Sequence, residues 1–306
     1  MNPTQKKTSR ELRSVKTRFR FVGTVVGLAS CILLASAALA AEGRGVRFTA
    51  MGCGPYLPED ELALARYIKL ENEQSASEFV VHLGDIVSGR RKDWEESQYK
   101  KIAALLRDAN RLPTFVVPGD NEWNDMDNPG AAWKMWTNNF LHFDQQWKFA
   151  APVARQPERT ENFAFVLREV LFLSLNKVGG RVHDAAEWHR RHRDNAQWIS
   201  TQMEQSPAAV HSAVIIAQDG PEKPDKDLLI SFRTSAIKFS RPVLWLHADG
   251  HKWFVKTNEW APNIWHVQTD VVSTKFPPVQ VTVTGEAKEP FLFDRRLNDP
   301  RWKDAQ

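Results

Sequence analysis

The chain has 306 residues, with 41 Lys and Arg against 37 Asp and Glu, a formal net charge of +4 and an isoelectric point near 9.0. The excess sits in the first twenty residues, where Lys6, Lys7, Arg10, Arg13, Lys16, Arg18 and Arg20 face one acid, Glu11. Without residues 1–40 the balance is 34 basic to 36 acidic, about −2, so the basic isoelectric point implies no nucleic-acid partner.

Taken in order, the chain starts with that basic segment, an apolar stretch from Phe21 to Ala40, and the small-residue end Ala38-Leu39-Ala40. This reads as a secretory signal cleaved after Ala40, which places the protein in the periplasm or outside the cell. Membrane contact is then expected only through the export segment. The alternative is an uncleaved anchor, because Phe21–Ala41 is nearly long enough to span a bilayer. Leu28-Ala29-Ser30-Cys31 also resembles a lipoprotein cleavage box and is kept as a minor alternative. Cys31 leaves with the signal and Cys53 stands alone, so no intrachain disulfide is expected. Residues 41–306 are read as a single domain, with a core supplied by the chain's twelve Trp and fifteen of its seventeen Phe.

Val46–Met51 reads as a first strand, Glu59–Leu70 as a helix, Phe79–Leu83 as a second strand, Asp93–Arg107 as a helix and Thr114–Val117 as a third strand. That β-α-β-α-β order predicts parallel strands with crossover helices. Residues 124–160 break the rhythm, and their aromatic stripe (Trp133, Trp136, Phe140, Phe143, Trp147, Phe149) is expected to pack on the sheet rather than form a substrate platform. Residues 161–176 read as a hairpin turning at Arg168-Glu169. Ala185–Gln205 reads as a helix whose run from His189 to Arg193 is a solvated face. Strands follow at Val210–Ala217 and Val243–Leu246, and then near Trp253, Trp265–Thr269, Gln280–Thr284 and Phe291–Phe293. The layout predicts an α/β fold of two packed mixed sheets with helices outside.

Three strands end on chemistry. Phe79–Leu83 empties into Gly84-Asp85, and Thr114–Val117 into Pro118-Gly119-Asp120-Asn121-Glu122-Trp123. Val243–Leu246 leads into His247-Ala248-Asp249-Gly250-His251. An Asp after Gly is commonly only a turn residue or a helix cap. Three such exits in one chain point instead to groups gathered at the C-terminal ends of strands, where α/β sheets bind ligands. The donors are carboxylate oxygens and imidazole nitrogens, which suit Mn²⁺, Mg²⁺, Fe²⁺, Ca²⁺ or Zn²⁺.

These blocks resemble the calcineurin-like metallophosphoesterase superfamily, most closely a divergent branch marked by Pro-Gly-Asp-Asn-Glu-Trp, here residues 118–123. The resemblance spans residues 46–270 and implies a four-layer α-β-β-α sandwich. It implies that Asp85 bridges metals, that Asp120 stands where the family has an Asn ligand, and that Asn121 stands where it has a His. Asp249 and His251 stand at the two His of its last block. Cys53 and Pro55 lie where an Asp-x-His block belongs, and Gln218-Asp219 where an isolated His belongs. The implied metal ligands are therefore Asp85, Asp120, Asp249 and His251, with Asp219 as a further candidate.

The implied activity is hydrolysis of a small phosphate mono- or diester by a metal-activated water. Asn121 can donate a hydrogen bond to the phosphate but no proton, which leaves His247 as the nearest candidate proton donor. Loss of the Asp-x-His block supports an alternative, a catalytically attenuated or silent relative serving as a binding or structural module. A carbohydrate- or polymer-binding protein has only the Trp content behind it.

Overall fold

The computed structural model describes residues 45–303 apart from Ala109, Lys223 and Asp225; the expected signal segment and its Ala40 cleavage point lie outside the described residues. Strands β1 (Val46–Met51), β2 (Val80–His82) and β3 (Thr114–Val116) pair in parallel, linked by helices α1 (Pro58–Gln74) and α2 (Glu96–Asp108). Short β-branched and aromatic runs interrupted by long helices leave the chain no two-residue route back, so the crossovers are helical and the strands parallel. On its other side β1 pairs antiparallel with β11 (Val279–Val283), which carries the edge strand β12 (Phe291–Asp294).

The second sheet runs from β4 (Ala154–Gln156) through β5 (Arg159–Leu167), β6 (Val170–Ser174), β7 (Ser212–Ile216), β8 (Val243–His247) and β10 (Ile264–Gln268) to β9 (Phe254–Thr257). β6, β7, β8 and β10 are parallel, whereas β4 and β5 at one end and β9 at the other are antiparallel. Both sheets are therefore mixed, as the sequence predicts.

Alternation along each strand separates the layers. Phe48, Ala50, Phe79, Val81, Phe115 and Val117 from the first sheet meet Phe163, Phe165, Phe172, Leu244 and Leu246 from the second in one core. Met51, Val80 and Val116 point the other way, toward α1, α2 and α3 (Pro129–Phe140). Trp245, Ile215 and Leu173 meet α4 (Ala185–Gln205) and α5 (Asp227–Phe239). The result is the four-layer α-β-β-α sandwich. Among the described residues no helix is long and apolar enough to cross a membrane.

The aromatic stripe packs as expected: Trp136, Phe140 and Phe143 join the α1–α2 core, and Phe149 sits edge-on to Phe79, Phe115 and Phe165. One helix lies outside the predicted elements, and one expectation needs correction. The segment after Pro221 contains α5, whose Leu228, Phe232, Ala236 and Phe239 follow helical spacing but whose Ile230 and Ile237 are exposed and blur the pattern. The basic run on α4 is not uniformly solvated, because Arg191 and His192 are buried. The turn of the helix brings those two positions inward, and Arg191 finds partners there that offset the cost of burying its charge.

Candidate metal centre

β1, β2 and β3 deliver their C-terminal ends to the same edge as β6, β7 and β8. Loop to loop, Gly54 N–H donates to Asp85 O at 2.8 Å, while the N–H groups of Ala248 and Asp249 donate to Gln218 O at 3.0 and 2.9 Å. Asp85 adopts φ +56° directly after Gly84 at φ +85°, a left-handed turn that aims its carboxylate across to the β3 loop. The approach is so close that a Cβ on Gly119 would lie 2.2 Å from Asp85 Oδ1, so only glycine fits there.

Glu122 fastens the two loops. Its Oε1 accepts the N–H groups of Gly119 (2.7 Å) and Asp85 (3.0 Å), and Oε2 accepts that of Ile86 at 3.2 Å. Tyr99 Oη donates to the Glu122 carbonyl at 2.8 Å. Trp123 is held from the other side by Arg191, whose guanidinium lies 4.5 Å from the Trp123 ring and 4.4 Å from Trp188. Arg191 also donates to Asn176 Oδ1 at 3.1 Å and pairs with Glu187 at 3.2 Å. A cation desolvated between two indoles is among the stronger forms of this contact.

The structure brings four of the predicted site residues together with a fifth beside them. Carboxylate oxygens of Asp85, Asp120 and Asp249 lie within 4.8 Å of one another, as do ligand atoms of Cys53, Asp85 and His251. Asn121 N–H donates to Asp85 Oδ1 at 3.3 Å. Burial raises the carboxyls of Asp85, Asp120 and Asp249 above the usual carboxylate range, and repulsion from neighbouring acids adds to it. Gln218 Nε2 donates to all three, at 3.1 Å to Asp85, 3.2 Å to Asp120 and 2.7 Å to Asp249. Its Oε1 accepts from Gly179 N–H at 2.7 Å, which turns the amide's donor end onto the acids.

A buried all-oxygen group whose members push one another toward the neutral form fits a hard divalent cation. The second group is a mixed sulfur, oxygen and nitrogen set. Its thiol must ionise to ligate, and burial and the adjacent Asp85 raise the Cys53 pKa well above its ordinary value.

Two sequence candidates lie elsewhere. His247 does not reach the acids: Leu246 and Ala248 enter the inter-sheet core, so alternation turns His247 to the opposite face. There its Nε2 lies 2.8 Å from His266 Nε2, and His266 Nδ1 lies 2.6 Å from Glu259. Asp219 pairs with the fully buried Lys177 at 2.9 Å rather than joining the cluster. That ion pair holds the Asp219 carboxyl below the usual carboxylate range.

Sequence reasoning missed Lys177, Gln218 as a centre of the acids, and Tyr56. A lysine three residues beyond the end of β6 was the available signal for the first. Tyr56 Oη donates to Asp85 Oδ2 at 3.4 Å, lies 3.1 Å from His251 Nε2 and accepts from Asn121 Nδ2 at 3.4 Å. Nothing in its spacing marks it.

This sandwich with acidic residues at its strand exits is the architecture of a metallophosphoesterase. The calcineurin-like phosphoesterase family matches residues 59–215, just over half of the chain, and the chain belongs to that family. Among solved structures it is similar to a dimetal phosphatase from Danio rerio, at 13% identity and TM-score 0.51, covering 81% of this chain and 98% of that one. It is also similar to GAP50, the anchor in the inner membrane complex of Plasmodium, at 10% identity and TM-score 0.48, covering 82% and 88%. A Thermus thermophilus protein, TT1561, shows 15% identity and TM-score 0.45, with 82% and 98% covered. No curated protein matches the sequence.

Proposed function

We propose that this protein is an exported metal-dependent phosphoesterase that hydrolyses a small phosphate mono- or diester in the periplasm or outside the cell. The observation that carries the reading is the convergence of Asp85, Asp120 and Asp249 from three strand exits onto one point, with oxygens within 4.8 Å. The basic, then apolar, then Ala-Leu-Ala order of residues 1–40 supports export.

Asp85, Asp120 and Asp249 are the residues that would hold a divalent ion such as Mn²⁺, Mg²⁺ or Ca²⁺. Such an ion supplies charge to stabilise a phosphoryl oxygen and acidifies water. Around it, the Asn121 amide can hold a phosphoryl oxygen by a hydrogen bond. His251, whose side chain is 40% exposed, stands at the mouth of the site and can orient the ester. Glu122 fixes the Asp85 and Gly119 backbones so that these groups keep their spacing. With His247 turned away from the acids, aryl esters, whose leaving groups depart without a proton, are the favoured substrates.

Purified protein, assayed on an aryl phosphodiester with and without Mn²⁺ and analysed for bound metal, tests this. Metal-dependent turnover is expected. Absence of both bound metal and turnover would leave the second reading, a silent binding or structural module. One observation favours that second reading: Gln218 Nε2 already gives the three carboxylates an internal partner.

A further inference from the structure

The two clusters of ligand atoms share Asp85 but differ in charge and in what already occupies them. The first gathers three carboxylates around the neutral side-chain amide of Gln218. The second gathers a thiol, an imidazole and the shared Asp85. Into this second group reaches the Tyr56 hydroxyl, hydrogen-bonded both to Asp85 Oδ2 at 3.4 Å and to His251 Nε2 at 3.1 Å. Whichever of Tyr56 and His251 holds the proton between them, the imidazole nitrogen that an ion would need is engaged.

The loop that carries the phenol is pinned on several sides. Gly54 N–H donates to Asp85 O at 2.8 Å, and Val272 N–H donates to Cys53 O at 2.8 Å. The Gly54 carbonyl lies 2.8 Å from His82 Nε2. A Cβ on Gly52 would stand 2.0 Å from Asp270 O, so the backbone there is pressed against the chain leading into Val272. Pro55 offers no side-chain ligand atom.

We infer that this centre takes a single divalent ion, held by Asp85, Asp120 and Asp249, and that the Tyr56 hydroxyl fills the second position between Cys53, Asp85 and His251. This rests on the metal-dependent reading above and narrows it. Electrostatics sets the order of filling. Three buried carboxylates leave uncompensated charge that a cation neutralises, whereas the second position offers one carboxylate, already spent on the first ion. Tyr56 and Asn121 Nδ2 then present neutral hydrogen-bond donors and acceptors to a bound ester where a second cation would present charge.

Metal counting on the purified full-length protein tests the inference. After saturation with Co²⁺ and removal of excess by gel filtration, one equivalent per chain is expected, with no thiolate-to-cobalt charge-transfer band. Cys53→Ala and Tyr56→Phe are expected to retain one equivalent, and Asp249→Asn to lose it. Two equivalents in the wild type, falling to one in Cys53→Ala, overturn the single-ion assignment while leaving the metal-dependent reading intact. A charge-transfer band that vanishes in Cys53→Ala overturns it in the same way. No bound ion in any variant overturns both together.

Discussion

Glu122 holds Asp85 by its backbone rather than by its side chain: Oε1 accepts the Asp85 N–H at 3.0 Å and leaves that carboxylate free to face the cluster. The same carboxylate takes the Gly119 and Ile86 N–H groups, so one buried acid sets the relative position of two loops. Glu122→Ala strands three buried donors. A cost of about 3 kcal/mol in urea unfolding is expected, together with weakened metal binding. Unchanged stability would show that water replaces the carboxylate without penalty.

Metal-free protein is expected to lose stability as pH rises. Burial pushes the Glu122 carboxyl from 4.5 up to about 8, and Asp85, Asp120 and Asp249 shift in the same direction. The folded state therefore binds more protons than the unfolded one, and stability falls with pH across that interval. Thermal unfolding in chelator should give a lower midpoint at pH 8 than at pH 5. Adding Mn²⁺ should reverse the trend, because the ion binds the deprotonated cluster.

Asn121 and His247 can be separated by kinetics. Asn121→Ala removes a donor beside the cluster and should lower kcat for an aryl phosphodiester about a hundredfold with little change in the unfolding midpoint. His247→Gln changes a residue on the helix-facing side of β8, so turnover should stay within about twofold while stability drops by about 1 kcal/mol. The reverse result would return His247 to the reaction.

Cys53→Asp tests whether the Asp-x-His position keeps its geometry. The added carboxylate stands beside Asp85 and His251, and combined with Tyr56→Phe it should raise bound metal from one equivalent to two. Calorimetric titration with Mn²⁺ reads the change directly. A loss of the first ion instead would mean that crowding the acids disrupts the cluster.

Much of this was legible in the sequence where one residue type served both fold and site. Phe79–Leu83 and Thr114–Val117 are β-branched and aromatic runs that stop at Gly and Pro, so their strand identity and the Asp85 and Asp120 just beyond them follow from the same few letters. Arg191 is not solvated, and a helical position alone cannot say what covers it; Trp123 from the β3 loop does, together with Trp188 one turn back on the same helix. His247 was misread because β8 is buried on both faces, so hydrophobicity could not tell which side each residue takes. Tyr56 and Gln218 meet Asp85 across 29 and 133 positions, and only tertiary structure brings such pairs together.

The ligand atoms are divided between the sheets: Asp85 and Asp120 hang from the first, Asp249 and His251 from the second. The layer that fixes their separation is the set of phenylalanines between, with Phe48, Phe79 and Phe115 facing Phe163, Phe165 and Phe172. A cation shared by Asp85, Asp120 and Asp249 is thus also a clasp across the sandwich, drawing on binding energy to keep its two halves in register. Thinning the clasped layer far from the acids, as in Phe79→Ala, would slacken the grip on the ion without touching a single ligand.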